Sequence, residues 1–276
     1  MGIIAISREV GSFGDEIAEQ VAKKLNFTLI DRSAIHHLIK ECDLDFSKAC
    51  EAFEEEVKPH GFFERISFSN PSYTARFFSL NYEAAGKGNV VLLGRGAQVV
   101  LSDVPGVLKV RVIAPQELRV ERIMKRMNLT RDEALEYAES YGAERRALIH
   151  AIYGRKDPYA PSLFDLIINT AALGLNDAID IVEIAARKLM ASSDRDATSK
   201  LLKRLAFAKE VESIIKKEVS TLPTRDLNVE ANDLGEIVLN GLVMDKRSRE
   251  RAEKIAAKVQ GVTKVTNNLK TTTLSF

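Results

Sequence analysis

The sequence predicts a doubly wound α/β domain followed by a small α+β module. Apolar runs of strand length recur between amphipathic helical stretches through the first two thirds of the chain. That is the pattern of a parallel sheet covered on both faces. The first run leads straight into a glycine-bearing loop and a helix, and past residue 206 the order becomes helix, strand, strand, helix, strand.

The opening stretch, MGIIAISREVGSFGDEIAEQVAKKLNFTLID, organises the rest. Ile3, Ile4, Ala5 and Ile6 make a strand, Ser7 to Gly14 a loop, and Ile17, Val21, Ala22 and Leu25 recur at helical spacing. Gly11 and Gly14 let the loop turn its N–H groups inward, and the free amides at the helix start add positive potential. The junction therefore suits an anion such as a phosphate. The same glycines also suit a plain chain reversal, and the loop alone does not choose. A second strand, Phe27 to Ile30, ends on Asp31, beside the crevice where open α/β sheets bind ligands.

Set against the phosphate-loop pattern G-x-x-x-x-G-K-[ST], the loop departs at defined places. With Gly11-Ser12 aligned to the start of a GSGKGT loop, Phe13 stands where glycine is usual, Gly14 replaces the lysine, and Glu16 replaces the hydroxyl residue. Arg8 is the nearest basic substitute.

The chain has 276 residues and a formal net charge of +1. That balance steers it neither to nucleic acid nor to an anionic membrane surface. No apolar stretch approaches the ~18 residues of a membrane span, and no cleavable leader is evident, so a cytoplasmic location is expected. Cys42 and Cys50 suit a reducing compartment. Together with His36, His37 and His60 they lack the close ligand spacing of a zinc site.

From Arg32 to Val57 the pattern is helical and increasingly acidic, until Lys58-Pro59-His60-Gly61 breaks it. Residues 61–88 are aromatic-rich and carry Arg65 and Arg76. They read as the core of a small helical insert, or as a grip on a base and a phosphate. A strand entering Gly94-Arg95-Gly96 follows, then a fourth strand at Val107 to Ile113 and a helix opened by Pro115. Arg119, Arg122 and Arg126 fall on one stripe of that helix. Thr130 and Glu133 form a capping box for the next helix, which bears Glu144, Arg145 and Arg146. Each stripe by itself is an ordinary solvated face. Two on consecutive helices, behind a phosphate-type loop, suggest a lid that closes over polyphosphate. FDLII, residues 164–168, is the last strand of the domain, and a helix spans about 176–190.

SREVGSFGDEIAEQVAKKL, LIDRSAI, VVLLGRGAQVVLSD, VRVIAPQELRVERI and PSLFDLIINTAALGLNDAIDIV, in this order, resemble the cytidylate kinase-like family over roughly residues 1–193. The resemblance implies a P-loop kinase-type parallel five-stranded sheet, an insert for the nucleoside monophosphate and an arginine-bearing lid. It implies ATP and Mg²⁺ as cofactors, with Ser7, Arg8, Gly11, Ser12, Phe13, Gly14 and Asp15 around the donor phosphates. Asp31 and Arg95, also as catalytic groups, would face the acceptor, with Asp31 orienting either that acceptor or a metal-bound water. Arg119 and Arg122, beside the donor, and Arg145 and Arg146, as catalytic groups, would neutralise the transferring phosphoryl. In such chemistry the protein supplies position and charge. Bacterial CMP kinases read DGRD where this chain reads Leu93-Gly94-Arg95-Gly96, so both acids are absent.

Residues 194–206 read as a charged linker helix, and 207–276 as an αββαβ module. IVLNGLVMDKRSRERAEKIAAKVQGVTKVTNNL resembles a BON domain, a family associated with binding lipids or other partners. Without an export signal, a cytosolic ligand, a regulatory role or assembly into a homo-oligomer is expected. The whole reads as a nucleotide-dependent phosphotransferase acting on a CMP-like or other small acceptor. The alternative is a kinase fold that holds a nucleotide without turnover and signals through the tail.

Overall fold

The computed structural model describes residues 1–31, 33–34, 71–153, 157, 159–219 and 227–271, of which 144, 145, 147–149 and 151–153 in backbone only. Of the acidic helix expected over 32–57 all but residues 33–34, together with both cysteines, His36, His37, His60 and the aromatic residues up to 70, lie outside the described residues. The described parts of 1–66 and 87–198 form one compact unit, and those of 67–86 and 199–276 a second.

In the first unit β1 (Ile3–Arg8), α1 (Gly14–Leu25), β2 (Thr28–Ile30), β3 (Val90–Leu93), α3 (Ala97–Val100), β4 (Val107–Ile113), α4 (Gln116–Met127), α5 (Arg131–Tyr153), β5 (Leu166–Asn169) and α6 (Gly174–Ser192) follow one another. α2 (Pro71–Lys87), between β2 and β3 in the chain, falls within the second unit up to residue 86. The five strands form an all-parallel sheet in the order β2-β3-β1-β4-β5. Ile4 and Ile6 of β1, Val91 of β3 and Val110 and Val112 of β4 are buried against Ile17 and Val21 of α1 and Val182 of α6. Those positions explain the uninterrupted apolar runs: a central parallel strand has no wet face.

Helix ends follow local chemistry. α1 stops at Asn26, which takes a left-handed φ of 55° and donates its N–H to Ala22 and Lys23 carbonyls, a conformation asparagine tolerates. α4 stops the same way at Asn128, φ 54°. The expected capping box at α5 is present: the Thr130 N–H donates to Glu133 Oε2 at 2.8 Å, and the Glu133 N–H reaches Thr130 Oγ1 at 3.4 Å.

The second unit contains α2, the body of α7 (Arg195–Glu218), β6 (Asn228–Ala231), β7 (Glu236–Val243), α8 (Lys246–Ala256) and β8 (Lys264–Thr271). The linker helix and the helix expected after it are one element, because no glycine or proline interrupts residues 195–218. β6 pairs antiparallel and β8 parallel with β7. Alternate residues Ile237, Leu239 and Val243 of β7 bury against Val211 and Ile215 of α7 and Ala252 and Ala256 of α8. Among the described residues no helix is long and apolar enough to cross a membrane.

Two stability predictions follow from these contacts. Ile17, 0% exposed in the sheet core, should cost about 2–5 kcal/mol when cut to alanine, read by urea unfolding of the first unit. Asp245 caps α8 by accepting the Ser248 N–H at 2.6 Å, and that bond holds its carboxyl below the usual range. A lowered carboxyl pKa stabilises the fold above the ordinary value and ceases to do so as pH falls through the lowered one. The difference in thermal midpoint between wild type and Asp245→Ala should therefore be constant near neutrality and shrink below about pH 4.

Candidate active site

Since β1 lies between β3 and β4, the chain leaves β1 at the point where the sheet's connections diverge, the place where open α/β sheets form a ligand crevice. The loop after β1 is shaped by backbone. Gly11 has φ +78°, and a Cβ there would lie 2.6 Å from the Arg119 carbonyl oxygen. Phe13 has φ +67° and opens α1, which is why glycine is usual at this position: a side chain in left-handed backbone costs roughly 1–2 kcal/mol. The Arg122 guanidinium lies over the Phe13 ring at 3.7 Å, which offsets part of that cost.

Ser12 is fully buried, its hydroxyl 2.7 Å from the Glu9 carbonyl and 3.2 Å from that of Val112. It anchors the loop and does not face a ligand. Among the described residues no side chain caps the first turn of α1, and the N-cap residue Phe13 offers none. Both carboxylates near that turn are engaged elsewhere. Asp15 Oδ1 accepts from Arg8 Nε at 2.9 Å and Nη2 at 2.6 Å, and Glu16 lies 3.8 Å from Arg126. The leading amides of α1 thus keep their capacity for an anion. Arg8 crosses the helix start directly over Gly14, where a Cβ would fall 2.2 Å from Arg8 Cβ.

Beside the loop, Arg111 projects from the carboxyl half of β4. Its Nη1 donates to Ser7 Oγ at 3.1 Å, its Nη2 lies 3.5 Å from Glu9 Oε1, and its guanidinium covers the Tyr159 ring at 4.1 Å. Burial pulls its pKa below the ordinary arginine value and Glu9 opposes the shift. Glu9 Oε2 is also 3.5 Å from Arg119 Nε and 3.4 Å from the Ala114 N–H. Arg8, Glu9, Arg111, Arg119, Tyr141 and Arg146 line one cleft of about 660 Å³, a nucleotide-scale volume. Its cations can neutralise polyphosphate, and its tyrosines offer flat surfaces.

Of the residues expected from sequence, Arg8, Arg119 and Arg146 meet at this cleft. Arg122 instead donates to the Gly11 carbonyl at 3.2 Å and to Thr170 Oγ1 at 2.8 Å, while Thr170 Oγ1 donates to Ser12 O at 2.9 Å. This ties the loop to the end of β5, and burial lowers the Arg122 pKa. Asp31 and Arg95 stand at the carboxyl ends of the paired strands β2 and β3. Asp31 accepts the Ala34 N–H at 2.9 Å, and Arg95 is 8% exposed between two glycines of positive φ. The side chain of Arg145 lies outside those described. Glu9, Arg111 and Tyr159 were not singled out from sequence. Arg111 left a signal, a charge inside the apolar run VLKVRVI.

The sequence model of the cytidylate kinase-like family matches residues 3–172. The chain belongs to the cytidylate kinase-like family. A BON domain model matches residues 193–273, so this family member carries a BON domain behind its kinase-like part. A cytidylate kinase of Pyrobaculum islandicum is 30% identical over 183 residues, covering 66% of this chain and 90% of that enzyme. A 99-residue stretch is 36% identical to a uronate isomerase of Corynebacterium glutamicum, spanning 36% of this chain but only 19% of that protein. The crystal structure of an uncharacterized protein from Eubacterium ventriosum aligns with a TM-score of 0.53 at 21% identity, covering 67% of this chain and 98% of that one. It supports the fold alone.

The contact between Arg8 and Gly14 yields a prediction for this family member. Gly14→Ala should destabilise the first unit by about 1–3 kcal/mol through overpacking. Arg8→Gly removes both the Cβ and the Cγ that the new methyl would meet, so the double variant should lose less than the two single changes summed, a non-additivity that a double-mutant cycle of thermal unfolding measures.

Proposed function

We propose that the chain is an ATP-dependent phosphotransferase whose acceptor is a nucleoside monophosphate, CMP-like, or another small phosphorylatable molecule. The supporting observation is the arginine-lined cleft beside the uncapped start of α1. Arg8 takes the place of the missing lysine at the donor phosphates, and Arg111, Arg119 and Arg146 stabilise charge on the transferring group. Asp31 and Arg95 orient the acceptor, and Arg145 follows Arg146 on the lid helix α5.

Magnesium in such reactions arrives on the nucleotide and needs one or two protein carboxylates, not an all-protein cage. The residues fit that demand: Glu9 and Glu139 line the cleft, and among the described residues no group of three or more His, Cys, Asp or Glu is arranged to hold an ion. Glu9 or Glu139 would hold the ion, which would supply positive charge against the phosphates.

A second reading, nucleotide binding without turnover, is favoured by a specific observation. Glu16 stands at the place of the usual hydroxyl and Gly14 at that of the lysine, and the nearest basic substitute, Arg8, is held by Asp15, so the loop presents amides without the customary hydroxyl and ammonium groups. One assay separates the two readings. ADP release from Mg·ATP is followed with a panel of nucleoside monophosphates and small metabolites, for wild type, Arg111→Ala and Arg146→Ala. Transferase chemistry predicts turnover on at least one acceptor and a loss of about a hundredfold in kcat/KM for each variant. Exposed Arg146 guards against a folding artefact at buried Arg111. Binding of nucleotide without turnover supports the second reading, and turnover indifferent to both changes overturns the placement of the site.

A further inference from the structure

The second unit holds a cavity that the kinase reading does not use. Along α7, Lys200, Lys203, Arg204 and Phe207 recur at three- and four-residue steps and share one stripe. Facing them are the β6–β7 turn, residues 232–235, and Gly261 ahead of β8. Between these elements lies a pocket of about 580 Å³, a volume typical of small-molecule sites.

Its backbone wall is fixed. The Thr263 N–H donates to Gly235 O at 3.0 Å, and Thr263 Oγ1 donates to Leu234 O at 2.8 Å. Gly235 has φ +76°, and a Cβ there would fall 2.2 Å from Gly261 O. Gly261 has φ +91°, and a Cβ there would meet the Phe207 ring at 3.4 Å. A side chain is excluded sterically at Gly235 and strained by the left-handed backbone at Gly261, and the two turns close against each other beside the aromatic ring.

Charge in the pocket is unbalanced. Three cations face one carboxylate, Asp233, whose Oδ1 is 3.5 Å from Arg204 Nε. That Nε is buried without a hydrogen-bond partner among the described residues. Lys200 and Lys203 are exposed. Leu234, 72% exposed, forms an apolar rim beside Phe207. A cationic stripe next to an aromatic ring calls for an anion joined to a flat or apolar group.

We propose that this pocket binds a small phosphorylated molecule, with its phosphate on Lys200, Lys203 and Arg204 and its planar or apolar part against Phe207 and Leu234. All lining residues belong to the second unit, so the proposal stands apart from the kinase reading. A soluble ligand suits a concave site walled by backbone. A lipid headgroup offers the same phosphate chemistry and is told apart by experiment.

The full chain, ¹⁵N-labelled, is titrated with ADP and separately with inorganic pyrophosphate, and the amide resonances of Gly235 and Gly261 are followed by NMR. Saturable shifts are expected at both, tighter for ADP than for pyrophosphate. Lys203→Gln with Arg204→Gln should weaken them about tenfold or more, and Arg146→Ala in the cleft should leave them unchanged. Lys203→Gln alone, at an exposed position, should weaken them in the same direction with the rest of the spectrum preserved, which excludes misfolding as the cause. Silence at the two glycines with both probes, or shifts indifferent to the substitutions on α7, overturns the proposal. A response to phosphatidylglycerol vesicles but to neither soluble probe overturns it in favour of a lipid headgroup.

Discussion

For α1 to start where it does, the chain must turn through left-handed backbone at residue 13, and the packing of the loop between β1 and α1 depends on that turn. It sets Gly14 against the side chain of Arg8 at the end of β1. A phenylalanine at this position is an unfavourable choice locally, tolerated because Arg122 stacks on its ring while reaching the carbonyl of Gly11 and the hydroxyl of Thr170. Loop, lid-side helix and final strand are joined at one guanidinium. The strain is local and the compensation is long-range, the usual arrangement at a binding site.

A second constraint is electrostatic. Glu9 sits among Arg111, Arg119 and the Ala114 amide at 3.4–3.5 Å, longer than close charge-assisted hydrogen bonds. The carboxylate keeps the arginines from repelling one another without saturating them. A more negative group entering the cleft would find donors already aligned, which limits the reorganisation required during reaction.

Much of this architecture could be read from sequence because it is local. Apolar runs mark the central strands, and Thr130 with Glu133 closes its capping box; the left-handed ends at Asn26 and Asn128 emerge only from the structure. Arg111 is not legible as a site residue from sequence, because β4 reads as one more buried strand. The charge became meaningful only once β4 paired with β1 and set Arg111 beside Ser7 and Glu9, residues about a hundred positions away. Arg122 was placed on the correct helix, but its spacing could not tell a phosphate ligand from the loop's own carbonyls. The grouping of α2 with the tail was also out of reach, since helical periodicity shows a buried face and not what covers it.

That grouping bears on how the protein can be divided. Ser79 of α2 donates to the Ala206 carbonyl at 3.0 Å, Arg76 reaches Glu210 at 3.8 Å, and Phe77 and Leu80 are each 1% exposed. The tail module is therefore not a detachable cassette. A gene fragment ending near residue 198 would strand a helix with bare apolar surface, and one beginning there would lack a piece of its own interior.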